Sequence, residues 1–242
     1  CALPIYPLQR ANLRLLGRFA DRFVVHGECL KRKLAASVGR ESDIEVLPHG
    51  TFAPFFTRWT ADTPTEPDTV LFFGRAAPGK GLPHLVAAGR SLAERRPDLD
   101  VIIAGSGFDG RKYDTIGDVF EIHDTRVEER VSTRLFERAS VVVLPYTRAS
   151  ATGIISIAGG FATPVVVTDV GALPEMVDHG ETGLVVPPGD SAALADALES
   201  LLANPGYRER LGENLRRVQA TEYGWPHIAA ETVDIYRECV GQ

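Results

Sequence analysis

Two runs leave this chain little freedom in how it folds. VVVLPY at Val141–Tyr146 is apolar throughout, and PVVVT at Pro164–Thr168 is apolar up to its last residue. A strand with one face in water alternates apolar and polar side chains. A strand without that alternation is covered on both faces, as in a parallel sheet between helices. Further strand patterns at Phe23–His26, Asp43–Leu47, Val70–Phe73, Val101–Ala104, Val119–Ile122 and Gly183–Val186 alternate with helical ones. Leu82, Leu85, Val86, Gly89, Leu92 and Ala93 share one helical stripe, and Leu194, Ala197, Leu198, Leu201 and Leu202 another. Helices are also predicted over Glu28–Ala36, Glu128–Arg138, Gly153–Phe161, Tyr207–Gln219 and Pro226–Val240, with Asp190 or Ser191 capping the one that starts near 191. Strand–helix alternation of this kind specifies an α/β, Rossmann-like parallel sheet with helices on both faces.

The bulk numbers exclude more than they assign. At 242 residues, 44% hydrophobic and 24% charged, the chain has length for a sizeable core and the composition of a globular protein. It contains no run approaching the ~18 apolar residues of a membrane span. Cys1, Cys29 and Cys239 form no CxxC pair, so free thiols in a cytoplasmic setting are expected. The histidines show no metal-ligand spacing, and nothing suggests nucleic acid. The net charge of −6 is uneven: residues 1–40 carry eight basic residues against two acidic, net +6, which leaves −12 for the rest. Arg10, Arg14, Arg18 and Arg22 fall four apart and would line one face of a helix. That face is a candidate for peripheral contact with an anionic membrane surface, or for packing on acidic groups elsewhere.

Chemistry concentrates where strands end. The strand VLFF runs into GRAAPGKG (Gly74–Gly81), which brings Arg75 and Lys80 to the start of a helix. Gly74, Gly79 and Gly81 allow tight bending, and Pro83 suits a first helical turn. Fixed cations and free amides at the C-terminal end of a parallel strand make a phosphate site. A second one is expected at ASATGII: with Thr152 as N-cap, the amides of Gly153, Ile154 and Ile155 would face outward. GSGFDG (Gly105–Gly110) matches G-x-G-x-x-G after a strand, but the span from Gly110 to Ile116 is too short for the crossover helix of a dinucleotide site.

These segments carry a family resemblance. VVHGECLKRKL, IEVLPHG, FFGRAAPGKG, VIIAGSG, LFERASVVVLPY, ATPVVVTDVGALPE, GETGLVVPPGD and WPHIAAETVDIY occur in the order seen in the donor-binding half of GT-B glycosyltransferases, most closely the retaining group 1 branch. The resemblance runs from about Phe23 to Tyr236. It implies that residues 1–50 are the tail of an acceptor-side Rossmann domain and its linker, that 51–220 form the domain binding a nucleotide-sugar, and that the helix in 221–242 packs back toward an N-terminal domain missing here or held by a partner chain. It implies transfer of a hexosyl-type group from a nucleoside diphosphate sugar to an acceptor hydroxyl with retention, without metal or cofactor. Arg75 and Lys80 would be the catalytic cations. Gly74, Gly105, Gly107, Arg126, Thr152, Gly153, Ile154 and Glu175 would join them around the donor, with His123 and Asp124 candidates beside the base. One departure stands out. The family's two glutamates, eight apart, fall here on Ala149 and Ile157, and Thr152-Gly153 matches a variant branch instead. A non-catalytic nucleotide-binding or partner subunit is therefore the second reading.

Overall fold

A computed structural model describes residues 7–108 and 118–241 of the chain. The segment behind the short-crossover argument, Cys1 and the side chain of Arg10 lie outside the described residues or side chains. Six strands form one parallel sheet: β3 (Thr69–Phe73), β4 (Asp100–Gly105), β5 (Phe120–Asp124), β6 (Val141–Leu144), β7 (Val165–Thr168) and β8 (Gly183–Val186). Their order is β5-β4-β3-β6-β7-β8. A separate parallel pair, β1 (Phe23–Val25) and β2 (Ile44–Val46), is joined by helix α2 (Glu28–Val38).

The uninterrupted apolar runs occupy the positions their composition demands. Val141–Leu144 and Val165–Val167 are each at most 1% exposed, in β6 and β7, which have a strand neighbour on both sides. Helix α4 (Leu82–Ala93) packs with α7 (Ser191–Leu202). On the other face α3 (Ala53–Thr57) meets α5 (Glu129–Arg138) and α6 (Ile154–Gly160), and α6 meets α8 (Pro205–Thr221). Asp190 rather than Ser191 caps α7, accepting from the amides of Ala192 (3.1 Å) and Ala193 (2.9 Å). Helix α9 (Trp225–Val240) returns to the first 50 residues: the Trp225 indole donates to the Thr51 carbonyl at 2.9 Å, and its ring covers Gly50.

Two segments depart from what their residues suggest. Thr51–Asp68 is rich in Pro, Thr, Asp and Glu, a composition that reads as an interdomain loop, yet α3 forms inside it. Pro54 starts that turn, and Phe52 and Phe56 pack against the core, so local burial overrides the polar composition. Helix α1 (Pro7–Leu16) ends before Arg18, so Arg10 to Arg22 do not share one helical face. Arg22 instead pairs with Glu45 at 2.8 Å and Glu238 at 3.2 Å, and Arg14 donates to the Ser37 carbonyl. Among the described residues, no helix is long and apolar enough to cross a membrane.

The first ends of the strands are tied by charge. Arg138 bonds Glu66 and Glu121, both at 2.9 Å, and lies 3.6 Å from Asp100. Its bonds to Glu121 hold its own pKa above the usual arginine range and depress that of Glu121, while burial and Glu121 raise Asp100. Arg138→Met leaves three carboxylates facing one another. We expect a loss of about 2 kcal/mol at pH 7, seen as a Tm drop of roughly 4–8 °C. The depressed Glu121 contributes stability that is present above the ordinary glutamate pKa and lost as pH falls through the lower folded value. The deficit of the variant should therefore shrink towards pH 4 and below; a deficit independent of pH would refute the electrostatic account.

Candidate functional site

Strand order reverses between β3 and β6. The chain leaves β3 toward β4 and β5 on one side, then returns to build β6, β7 and β8 on the other. The crevice at the C-terminal ends of two such strands is where open α/β sheets bind ligands. The loop after β3 is Gly74–Gly81, and the loop after β6 is Pro145–Gly153. Folding thus brings together two segments that are about seventy residues apart in the chain.

Their contact is tight. The Gly79 carbonyl accepts from the amides of Thr147 (2.8 Å) and Arg148 (3.1 Å). Gly81, in the left-handed region at φ 71°, presses on β6 so closely that a Cβ there would lie 1.6 Å from the Pro145 carbonyl oxygen. Gly105 ends β4 at φ 150°, where a Cβ would lie 2.0 Å from the Gly74 carbonyl oxygen. The Ala76 amide then donates to Ser106 at 2.8 Å. Backbone approach on both sides leaves the cations at the mouth. Lys80 sits with its ammonium 3.6 Å from the centre of the Tyr146 ring. Burial, and then the nearby Arg75 charge, lower its pKa. Arg75 is exposed. Neither has a carboxylate partner among the described residues. Burial pushes the Tyr146 phenol up to about 12.

Not every predicted residue gathers here. Gly74, Arg75, Lys80, Gly105 and Gly107 do. The assigned N-cap of α6 is Gly153, one residue later than expected, and the Thr152 hydroxyl accepts the Ile154 amide at 3.3 Å, so that amide is engaged. The Gly107 and Phe108 amides are held by the Asp124 carboxylate at 3.1 and 3.2 Å, which ties the β4 loop to the end of β5. His123 faces Glu121, and Arg126 borders a separate cavity with Trp59 and Arg130. Both oxygens of Glu175 go to the start of α2, accepting from Glu28 (2.6 Å) and Cys29 (2.8 Å) amides. Glu175 is therefore an anchor between the loop after β7 and the β1–α2–β2 unit. Glu175→Ala should speed hydrogen exchange at the Glu28 and Cys29 amides and cost about 1 kcal/mol; unchanged exchange would show that the contact does not persist.

The profile described as "Glycosyl transferases group 1" matches residues 67–204. The chain belongs to this family. D-inositol 3-phosphate glycosyltransferase of Pseudarthrobacter chlorophenolicus is 32% identical over 91% of the chain and 56% of that protein. Alpha-maltose-1-phosphate synthase of Mycolicibacterium smegmatis is 33% identical over 70% of the chain and 47% of that protein. Among solved structures, sucrose-phosphate synthase from Thermosynechococcus elongatus superposes at TM-score 0.83 with 24% identity, covering 98% of this chain and 62% of that one. Anabaena HepE, solved with UDP and glucose, superposes at TM-score 0.78 with 19% identity, covering 97% and 69%. The fold is thus that of the C-terminal half of a GT-B glycosyltransferase, and the chain spans about half the length of the curated relatives it matches.

Within this group 1 member, the two positions where the resemblance implies glutamate are buried: Ala149 is 8% and Ile157 4% exposed. Sequence reading overlooked Arg148. Its stem and Nε lie over Gly79, 3.2 and 3.4 Å from where a Cβ would stand, and it has no carboxylate partner among the described residues. Only its position after the VVVLPY strand could have flagged it.

Proposed function

We propose that this chain is the nucleotide-sugar-binding half of a retaining group 1 glycosyltransferase, moving a hexosyl group from a nucleoside diphosphate sugar to an acceptor hydroxyl. The observation that carries the reading is the pair of cations, Arg75 and Lys80, held at the switch point between β3 and β6 with no carboxylate partner among the described residues. In the transfer, the bond from the anomeric carbon to the β-phosphate oxygen breaks, and the acceptor oxygen bonds that carbon from the same face. The acceptor proton passes to the departing phosphate. Negative charge grows on the diphosphate as it leaves, and cations already fixed in place stabilise it without reorganisation. Arg75 can span two phosphate oxygens, Lys80 acts as a point charge, and Arg148 adds a third cation from the opposite loop. We expect Arg148→Ala to weaken diphosphate binding about threefold to tenfold and to lower the salt dependence of that binding.

Calorimetry with UDP, GDP, ADP, dTDP and their sugar conjugates tests the reading. Binding by one nucleotide family, lost in a Lys80 variant, supports it. Binding by none refutes a donor site in this chain. The second reading, a non-catalytic nucleotide-binding or partner subunit, draws support from the buried Ala149 and Ile157. Nucleotide binding without sugar transfer by the whole protein would favour it.

A further inference from the structure

Lys80 meets Tyr146 because two backbone contacts hold the β3 and β6 loops in register. On one side of Lys80, the Gly79 carbonyl accepts from the amides of Thr147 and Arg148. On the other, Gly81 lies so close to the Pro145 carbonyl that no side chain fits between them. Lys80 is thereby fixed between two clamped neighbours, and Tyr146 between Pro145 and Thr147. The Lys80 amide donates to the Ala77 carbonyl at 3.0 Å, and the Thr168 hydroxyl at the end of β7 donates to the Tyr146 carbonyl at 2.5 Å. Neither backbone is free to turn away, and the side chains meet with the ammonium 3.6 Å from the ring centre.

A half-buried ammonium is costly without a partner, and the usual partner is a carboxylate. Lys80 has none among the described residues, and the charge that acts on it, Arg75, has the same sign. A carboxylate there would compensate burial, but an arriving phosphate would have to displace it. The ring offers a negative face and no net charge. Tyr146 is 1% exposed, and with its phenol pushed up to about 12 the ring stays neutral while the lysine is charged. The ring therefore offsets part of the burial and cancels none of the positive charge. It also orders the lysine. A flexible four-carbon stem carries the ammonium, and order imposed by folding leaves less to impose when a ligand binds.

We propose that Tyr146 is a positioning residue for the diphosphate: its ring face holds the Lys80 ammonium, undiminished in charge, at the switch point between β3 and β6. The assignment rests on the donor-site reading above and names the group that aims one of its cations. Tyr146 acts through Lys80 and not by contact with the ligand.

The test is a double-mutant cycle on diphosphate affinity, measured by calorimetry with UDP, GDP, ADP and dTDP and continued with each one that the parent chain binds. Tyr146→Leu removes the ring, Tyr146→Phe keeps it, and Lys80→Met removes the charge. We expect Tyr146→Leu to bind about threefold to tenfold more weakly than the parent, and Tyr146→Phe to bind within about twofold of it. In the Lys80→Met background, Tyr146→Leu should change affinity by less than about twofold, because the group it positions is gone. A merely structural role for the ring predicts the same loss in both backgrounds, and that result overturns the proposal. The lysine ε-proton resonances of the parent chain give a readout that needs neither ligand nor a folded Leu variant. The chain has four lysines, so Lys80→Met identifies the signal, which the ring current of Tyr146 should move upfield of the others. A Lys80 signal lying among the others overturns the contact and with it the proposal. A parent chain that binds no diphosphate while its Lys80 signal is shifted overturns the donor site, and leaves Tyr146 nothing to position.

Discussion

Lys80→Ala should bind nucleoside diphosphate roughly 10- to 150-fold more weakly than the parent chain, because a charge-assisted bond to phosphate is worth about 1.5–3 kcal/mol. Lys80→Met separates charge from packing. It keeps an apolar stem against Tyr146 and should lose the same binding without loss of folded stability. The proton balance offers a further check. Burial and Arg75 depress the lysine pKa in the free chain, and a bound diphosphate favours the charged form and raises it again. Binding should therefore take up protons at pH values between the free-chain and bound lysine pKa, and affinity should fall as pH rises through the free-chain pKa. Calorimetry in buffers of different ionisation enthalpy reads this directly. No proton uptake in the parent, or equal affinity in Lys80→Met, would remove Lys80 from the site.

Gly81→Ala should be the most damaging single methyl in the chain's binding loops. The added carbon meets the Pro145 carbonyl oxygen at 1.6 Å, and φ of 71° is itself unfavourable for a side chain. The neighbour is backbone in a fully buried strand region and cannot turn aside as a side-chain tip could. Left-handed strain of about 1–2 kcal/mol and overpacking of about 1–3 kcal/mol add to about 4 kcal/mol, or a Tm loss of roughly 8–16 °C. The β3 and β6 loops would be forced apart where the cations sit, so diphosphate binding should vanish even below the melting point. A variant that melts and binds like the parent would show that the loop contact is looser than described. Gly39→Ala is a useful control: it shares a positive φ, 80°, with nothing within 4 Å of the added carbon, so strain acts there without the clash.

How much of this was legible before the fold is seen can be judged residue by residue. Arg75 and Lys80 announced themselves because a glycine-rich loop with two cations between a strand and a helix is a local pattern, and local patterns survive in sequence. The helix start at Thr152-Gly153 was legible to within one residue for the same reason. Arg148 was not, since its importance comes from lying over Gly79, a residue some seventy positions earlier. The resemblance placed Glu175 near the donor, and no local pattern showed that its carboxylate also caps a helix 147 residues away. The helix at Ala53–Thr57 was hidden because Phe52 and Phe56 are buried by distant elements that a polar, proline-rich stretch gives no sign of.

The parallel, twice-covered sheet and the cation loop were both written in local sequence patterns. Unbroken apolar strands alternating with amphipathic helices are satisfied by a sheet covered on both faces, and a glycine-rich loop with two cations between a strand and a helix is a local pattern. The tertiary structure alone decided which loops meet. Strand order β5-β4-β3-β6-β7-β8 places the ends of β3 and β6 side by side and makes a crevice between them. Local propensity carries no information about strand order, because order follows from how the crossovers bury the most apolar surface over the whole chain. The crevice and its third cation are consequences of that global choice.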